Sequence, residues 1–483
     1  MKSRSTTTYD GYTQGSVGQH GQVRRATLAA ASLGFSVIQL DVFVVNVGIK
    51  AIGTELGGGT SALQWVMSAY PLLLAAFILT AGALADRFGA RRMYCTGFVV
   101  FVAASLACGL APTMGVLIAA RAVQGVGAAV LGACSLALLN HTFHDPAERT
   151  RAVGLWAAGA SVALALGPVL GGLLIAGFGW RSIFFINLPI GALGYWLTRT
   201  YAQETPPSDR RLDLTGLVAG VAALGGLAFA LIQGGAKGFV SLPVVTALAI
   251  AAMAAAIFFR TEATEREPML PLTLFQRWGF TGPAVLGLLV NVTFYGLVFV
   301  FSLLLQKEDG FSPLATGLAF LPLAGSVFAA NLGSGRLSTL IGSRSVILIG
   351  LAAMFVGCLS LLWAGVGTPF GELVVPQMTL AAGIGLLVPA MTSSLMGSVD
   401  RSHSGVAAGT LNTMRQTGSV LGVAVFGSLV SARFTSGLHV ALVMSMVLIA
   451  ASAAVMAGPD GAGALPKLRS AFGRWSRSGR SEP

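Results

Sequence analysis

A chain of 483 residues that is 54% hydrophobic and only 10% charged, with a mean hydropathy of +0.78, lies outside the composition of soluble globular domains and reads as a polytopic membrane protein. Its apolar runs are long enough for helices to cross a hydrocarbon core of about 30 Å, and the alternation that barrel strands need is missing, so an all-α fold is expected. The net charge of +12 comes from basic residues scattered between those runs, which excludes a nucleic-acid surface and marks topology instead.

The first 25 residues are polar, with no apolar stretch of a cleavable leader, and are expected to form a cytoplasmic segment. Fourteen spans then follow, at 26–48, 65–84, 93–111, 113–139, 152–176, 181–199, 214–233, 241–259, 280–304, 314–333, 345–365, 372–396, 405–430 and 439–457. Placing the amino terminus inside puts 23 of the 30 Lys and Arg in cytoplasmic segments, so both termini are expected in the cytoplasm. The basic tail at 458–483 is expected to lie on the anionic inner leaflet. Cys95, Cys108, Cys134 and Cys358 lie in or at the ends of apolar runs without ligand spacing and read as small core residues.

The longest polar connections, RTYAQETPPSDRRLD (199–213) and RTEATEREPMLPLTLFQRWGF (260–280), set the seventh and eighth spans apart. The chain therefore divides into a six-helix bundle at 26–200, linkers and a two-helix insert at 201–279, and a second six-helix bundle at 280–457. An internal repeat supports that division. GALADRFGARR (82–92) matches GRLSTLIGSR (335–344) at an offset of 253, pairing Gly82 with Gly335, Gly89 with Gly342 and Arg91 with Arg344. Gly154, Gly167 and Gly171 pair with Gly405, Gly418 and Gly422 at an offset of 251.

GALADRFGARR resembles the cytoplasmic-loop signature of the major facilitator superfamily, with Ala90 standing where a basic residue is common. RAVQGVGAA (121–129) is similar to the fourth-helix signature, and GLWAAGASVALALGPVLGG (154–172) to the exporter-type fifth-helix signature. LDVFVVNVGIKAI (40–52) resembles the first-helix signature of the fourteen-helix drug:proton antiporters, with Phe43 and Lys50 departing from it. LQWVMSAYPLLLA (63–75), FINLPIGA (185–192) and LNTMRQTGSVLGVAVFG (411–427) also look like that branch. The resemblance implies a proton-driven exporter of small organic molecules such as antibiotics, monomeric, in a bacterial inner membrane and without a cofactor. It also makes the 82–92 loop, with Gly82, Asp86, Arg87, Gly89 and Arg91, a conformational latch. Import or uniport on the same fold, and a non-transporting receptor, remain the alternatives.

Ionisable groups inside spans are costly and therefore point to function. Asp41 is the sole acid well inside a span, Glu372 sits at the outer edge of one, and Arg121 and Arg415 are the deep bases. Asp41 and Arg121 lie at similar depth and are expected to pair or couple in proton transfer, while Arg415 lies nearer the midplane. Asp41 is turned about 140° from Asn46 on its helix, so either Asp41 serves a helix interface and Asn46 touches cargo, or the reverse. Further cavity candidates are Gln64, Trp65, Tyr70, Gln124, Asn291, Phe294, Tyr295, Asn412 and Gln416. Gly154, Gly167, Gly171 and Gly172 are expected to make flat packing surfaces and Pro168 to bend the fifth helix. HTFH (141–144) lacks further ligands, so no metal is expected, and neither a nucleotide loop nor a nucleophile with its base is visible, so no enzyme chemistry is expected.

Overall fold

The computed structural model describes residues 10–207, 213–265, 268, 270, 272–400, 404–431 and 433–457. The tail at 458–483 lies outside them. Among the described residues the regular structure is helical throughout. The helices are α1 (Asp10–Leu56), α2 (Thr60–Phe88), α3 (Ala90–Gly109), α4 (Met114–Thr142), α5 (Pro146–Phe178), α6 (Ser182–Phe185), α7 (Asn187–Tyr201), α8 (Leu214–Lys237), α9 (Leu242–Thr264), α10 (Trp278–Leu303), α11 (Pro313–Ala319), α12 (Leu321–Ile341), α13 (Ser343–Ser360), α14 (Phe370–Gly397), α15 (Ser404–Val430) and α16 (Phe434–Ala457).

These pieces make the fourteen expected spans, because α6 with α7 and α11 with α12 are single crossings interrupted at Ile186 and Phe320. Twelve of the described helical stretches are by themselves long and apolar enough to cross a bilayer. The remaining two, α6–α7 and α15, carry Asn187 and the series Asn412, Arg415 and Gln416. Polar cargo on a span dilutes its hydropathy, so these two crossings depend on neighbouring helices for burial. Several boundaries differ from expectation: α1 extends well beyond 26–48 at both ends, α5 starts at Pro146 rather than 152, and α13 stops at Ser360 rather than 365.

Helix starts and stops follow local chemistry. Asp145 and Asp213 accept hydrogen bonds from Glu148 N at 2.9 Å and Gly216 N at 2.7 Å, capping α5 and α8. Gly89 and Gly342 end α2 and α12 with φ of 91° and 85°, a region closed to residues bearing a Cβ. Large apolar side chains such as Val99, Phe178, Val218, Met253 and Leu340 face outward from the bundle, where lipid takes the place of a protein neighbour.

The two six-helix halves repeat in three dimensions. Gly89 N donates to Ala85 O and Gly342 N to Ser338 O, at positions related by the 253-residue offset. Arg91 Nη2 donates to Arg199 O near the end of α7, and Arg344 Nη2 to Met456 O near the end of α16, both at 2.6 Å. In the first half Gly167 and Gly171 bring α5 onto Leu40, Phe43 and Val44 of α1. In the second half Gly418 and Gly422 bring α15 onto Leu288, Asn291 and Val292 of α10. A Cβ at Gly418 or Gly422 would fall on the Leu288 or Val292 carbonyl.

Gly154 does not play the packing part expected of it. A side chain at Gly82 or at Gly154 would enter open space, and so would one at their repeat partners Gly335 and Gly405. Gly172 does pack, but across the halves: a Cβ there would lie 2.9 Å from Leu314 Cα and from the Pro313 carbonyl. Gly317 of α11 in turn sits over the Pro168 carbonyl of α5, and α5 continues through Pro168.

The insert α8–α9 lies along the seam between the halves. Leu72 of α2, Ala228 of α8 and Val420 of α15 form one apolar cluster. Ser428 of α15 donates to the Leu231 carbonyl of α8 at 2.9 Å.

Candidate functional site

The first half buries a polar network. Asp41 of α1 and Arg121 of α4 form an ion pair with side chains 1% exposed each. Gln124, one turn along α4, accepts from Arg121 Nη1 at 2.6 Å and donates from Nε2 to Asp41 Oδ1 at 2.8 Å. Asn187, the first residue of α7, donates to the same oxygen at 3.0 Å. Ser105 of α3 lies behind both amides, 2.9 Å from Gln124 Nε2 and 3.3 Å from Asn187 Nδ2.

Arg121 is also held from its other side. Its Nε donates to the Val66 carbonyl of α2 at 3.3 Å, and its guanidinium lies 4.5 Å from the centre of the Tyr70 ring and 5.9 Å from that of Phe184. A buried charge pair is favourable only when its remaining hydrogen-bonding capacity is filled, and here five helices contribute to filling it. Tyr70 and Phe184 close the network with aromatic faces that a cation favours.

The expected pairing of Asp41 with Arg121 is therefore present in the structure. Asn46 has a different environment, as the helical phase required. Its side chain donates to Val42 O of its own helix at 3.0 Å, while its backbone carbonyl accepts from Ser302 Oγ and, at 2.8 Å, from Gln306 Nε2. Lys50 N donates to Gln306 Oε1 at 3.2 Å. These contacts tie α1 to the far end of α10 and to the π-helical turn Leu304–Glu308 that follows it.

Several cavity candidates turn out to be occupied by helix packing. Gln64 is buried and donates to the carbonyls of Val423 and Ala424 on α15, at 3.0 and 2.8 Å, which ties α2 to the second half. Asn291 is 1% exposed, donates to Gly287 O within its own helix at 2.6 Å, and lies against Gly418. Gln124 and Tyr70 belong to the ion-pair network, and Trp65 packs 6.3 Å from Phe229 of the insert. Amide residues meet such demands on closely packed helices as readily as they meet a ligand, so composition does not separate the two.

What remains is a smaller group at the meeting of the halves. Tyr295 of α10 lies 6.1 Å from Phe43 of α1 and 5.4 Å from Phe294, measured between ring centres. Asn412, Arg415 and Gln416 of α15 are half-buried. The residues missed by sequence reasoning are Ser105, Asn187, Ser302 and Gln306. Asn187 stood inside FINLPIGA, and its place in a crossing with few other polar groups was the available signal.

At the Gly89 loop, Asp86 and Arg87 are exposed, with the Arg87 guanidinium 5.5 Å from the centre of the Phe88 ring. The backbone amides of Arg91 and Arg92 donate to Glu204 at 2.9 and 3.2 Å, and Ala90 N to Thr205 Oγ1 at 2.7 Å. The start of α3 is thus anchored on the linker that follows α7.

Comparison with known proteins agrees with this architecture. A family model described as Major Facilitator Superfamily matches residues 31–423. The methylenomycin A resistance protein of Streptomyces coelicolor is 38% identical over 400 residues, covering 83% of this chain and 84% of its own. The multidrug resistance protein Stp of Mycobacterium tuberculosis is 37% identical over 415 residues, covering 86% and 77%. The methylenomycin A resistance protein of Bacillus subtilis is 35% identical over 422 residues, covering 87% and 91%. Among solved structures, that of the human organic anion transporter MFSD10 (TETRAN) superposes with a TM-score of 0.63 at 16% identity, over 90% of this chain and 99% of that one, a likeness of fold. Two repeated six-helix halves, a family model spanning most of the length, and relatives more than a third identical across both halves place this multi-pass membrane protein in the major facilitator superfamily.

Proposed function

We propose that the protein is a proton-coupled exporter of small organic molecules, of the antibiotic or toxic-compound class, working by alternating access in a bacterial inner membrane with both termini in the cytoplasm. It acts as a monomer, moves its cargo without chemical conversion, and draws on the proton gradient rather than on a cofactor. The relatives named for resistance to methylenomycin A and to multiple drugs support the cargo class. The observation that carries the coupling is the buried Asp41–Arg121 pair, whose acid is the sole one well inside the spans.

The physical sense of the cycle follows from that pair. A proton taken up by Asp41 removes one of two mutually compensating charges and leaves Arg121 held by Gln124, the Val66 carbonyl and two aromatic rings. The network joining α1, α3, α4 and α7 is then loosened, and it re-forms when the proton leaves to the other side. A single charge moving through 100 mV supplies about 2.3 kcal/mol.

The contacts between the halves suit a switch of that size. Asn46, Lys50, Ser302 and Gln306, Gln64 with α15, and Gly172 with α11 lie on the side opposite the Gly89 and Gly342 loops. With those loops inside, we read these contacts as a gate toward the exterior. Hydrogen bonds between spans contribute about 0.6 kcal/mol each, so this gate is worth a few kcal/mol and can be exchanged for another set.

The test is Asp41→Asn in inverted membrane vesicles. The variant is expected to lose uphill accumulation of cargo while keeping binding and passive exchange. Proton-driven accumulation by a well-expressed Asp41→Asn protein refutes the coupling assignment.

A further inference from the structure

Arg415 is the one deep base that the ion-pair network does not use. Among the described residues it has no ion pair and no hydrogen-bond partner, and its Nε is shielded from solvent with no acceptor. Its stem lies over Gly287 of α10, where a Cβ would come within 3.3 Å of Arg415 Cγ, and near Met391 of α14. The second bundle offers it no internal counter-ion: the acids between 280 and 457 are Glu308, Asp309, Glu372 and Asp400, all at helix ends or beyond them. Asp41 is already engaged by Arg121, Gln124 and Asn187. A guanidinium held inside a membrane bundle without an anion leaves most of its five donors to be satisfied from elsewhere.

The placement of α15 shows where those donors look. Leu411, Gly418 and Gly422 pack on α10. On another side, Thr413 donates to Ala75 O of α2 at 3.3 Å and Gly409 lies against Leu79. Between these two packed stripes run Asn412, Arg415, Gln416 and Ser419, at i, i+3, i+4 and i+7, and therefore on one face of the helix. That face opens on the gap between α10 and α2, which are the helices carrying Tyr295 and Tyr70. Tyr295 is within electrostatic reach of both Arg415 and Tyr70, and it touches Phe43 across the gap between the halves. A planar cation donor, two neighbouring amides and an aromatic floor are thus gathered at the meeting of the halves.

We propose that Arg415 receives the anionic group of the cargo, so that the exporter inferred above, on which this inference rests, moves small organic acids. The carboxylate takes the two parallel N–H donors of the guanidinium, with Asn412 and Gln416 beside it. The apolar or ring body lies against Tyr295 and Phe43. Cationic amphiphiles are disfavoured at the same place, since Arg415 repels them and no free acid is at hand to hold them.

A matched set of probes tests this: 1-naphthoate, its methyl ester and 1-naphthylmethylammonium, bound to the full-length protein in phosphatidylcholine nanodiscs, where no anionic lipid competes. The wild type is expected to bind the carboxylate at least tenfold more tightly than the ester and to bind the ammonium least. Arg415→Gln is expected to bring carboxylate and ester within twofold, and Arg415→Lys to keep a reduced preference. A wild type that binds the three alike, prefers the ammonium or fails to bind the carboxylate overturns the proposal, as does an Arg415→Gln protein with the preference intact. If Arg415→Gln does not fold, phenylglyoxal modification of the wild type reads the same point. Naphthoate is then expected to protect Arg415 and the ester is not, and equal modification with both overturns the proposal. Accumulation in inverted vesicles separates this inference from the exporter reading: charge discrimination in binding without proton-driven accumulation refutes export alone, and accumulation without discrimination refutes the role of Arg415 alone.

Discussion

A double-mutant cycle on Asp41 and Arg121 measures whether the pair acts as a unit. Both side chains are 1% exposed, and breaking a buried pair from one side costs about 3–5 kcal/mol. Asp41→Asn sits at the low end of that range, because Arg121 keeps Gln124 Oε1 at 2.6 Å, the Val66 carbonyl at 3.3 Å and the Tyr70 face. Arg121→Gln also sits there, because Asp41 keeps Gln124 and Asn187 as donors at 2.8 and 3.0 Å. Removing both charges leaves amides that can bond to one another, so the double variant is expected to cost about as much as either single one. The coupling is then about 3 kcal/mol, at the top of the range for residues that share one network. Unfolding in a graded sodium dodecyl sulfate titration of the purified protein supplies the four free energies. Additivity to within about 0.5 kcal/mol refutes the claim that these charges compensate each other inside the bundle.

The gate is expected to respond to Gln306→Ala, which removes the ties to Asn46 O and Lys50 N. Losing two hydrogen bonds of about 0.6 kcal/mol each raises the exterior-open population severalfold, read as faster labelling of a cysteine at Ser302 by an impermeant maleimide in a cysteine-free background. Gly317→Val, whose added carbons fall on the Pro168 carbonyl, is expected to move the same readout in the same direction. Cysteines placed at Lys237 and Pro206 are expected to label from opposite faces of the membrane, since α8 runs between them; labelling from one face removes the insert topology.

Hydropathy by itself marks twelve of the fourteen crossings, because a bilayer demands about twenty apolar residues per helix whatever the helix packs against. The repeat was also legible. The Gly89 and Gly342 caps and the Arg91 and Arg344 contacts arise from local rules that hold wherever the motif occurs. Depth along two helices put Asp41 and Arg121 at one level, since rise per residue is fixed by backbone geometry. Helical phase separated Asp41 from Asn46 for the same reason.

Phase says which residues of one helix share a face, but not which neighbour that face meets, and here tertiary structure alone decided. Gln64 and Asn291 looked like cavity residues and are spent on α15 and α10. Gly154 looked like a packing surface and meets nothing, whereas Gly172 joins the two halves. Asn187, far from Asp41 in sequence, donates to it with Ser105 behind its amide only because α3 and α7 converge on α1. The absence of a counter-ion for Arg415 among the described residues is likewise a property of the assembled bundle, since a charge is paired or unpaired only with respect to groups that folding brings within a few ångströms of it.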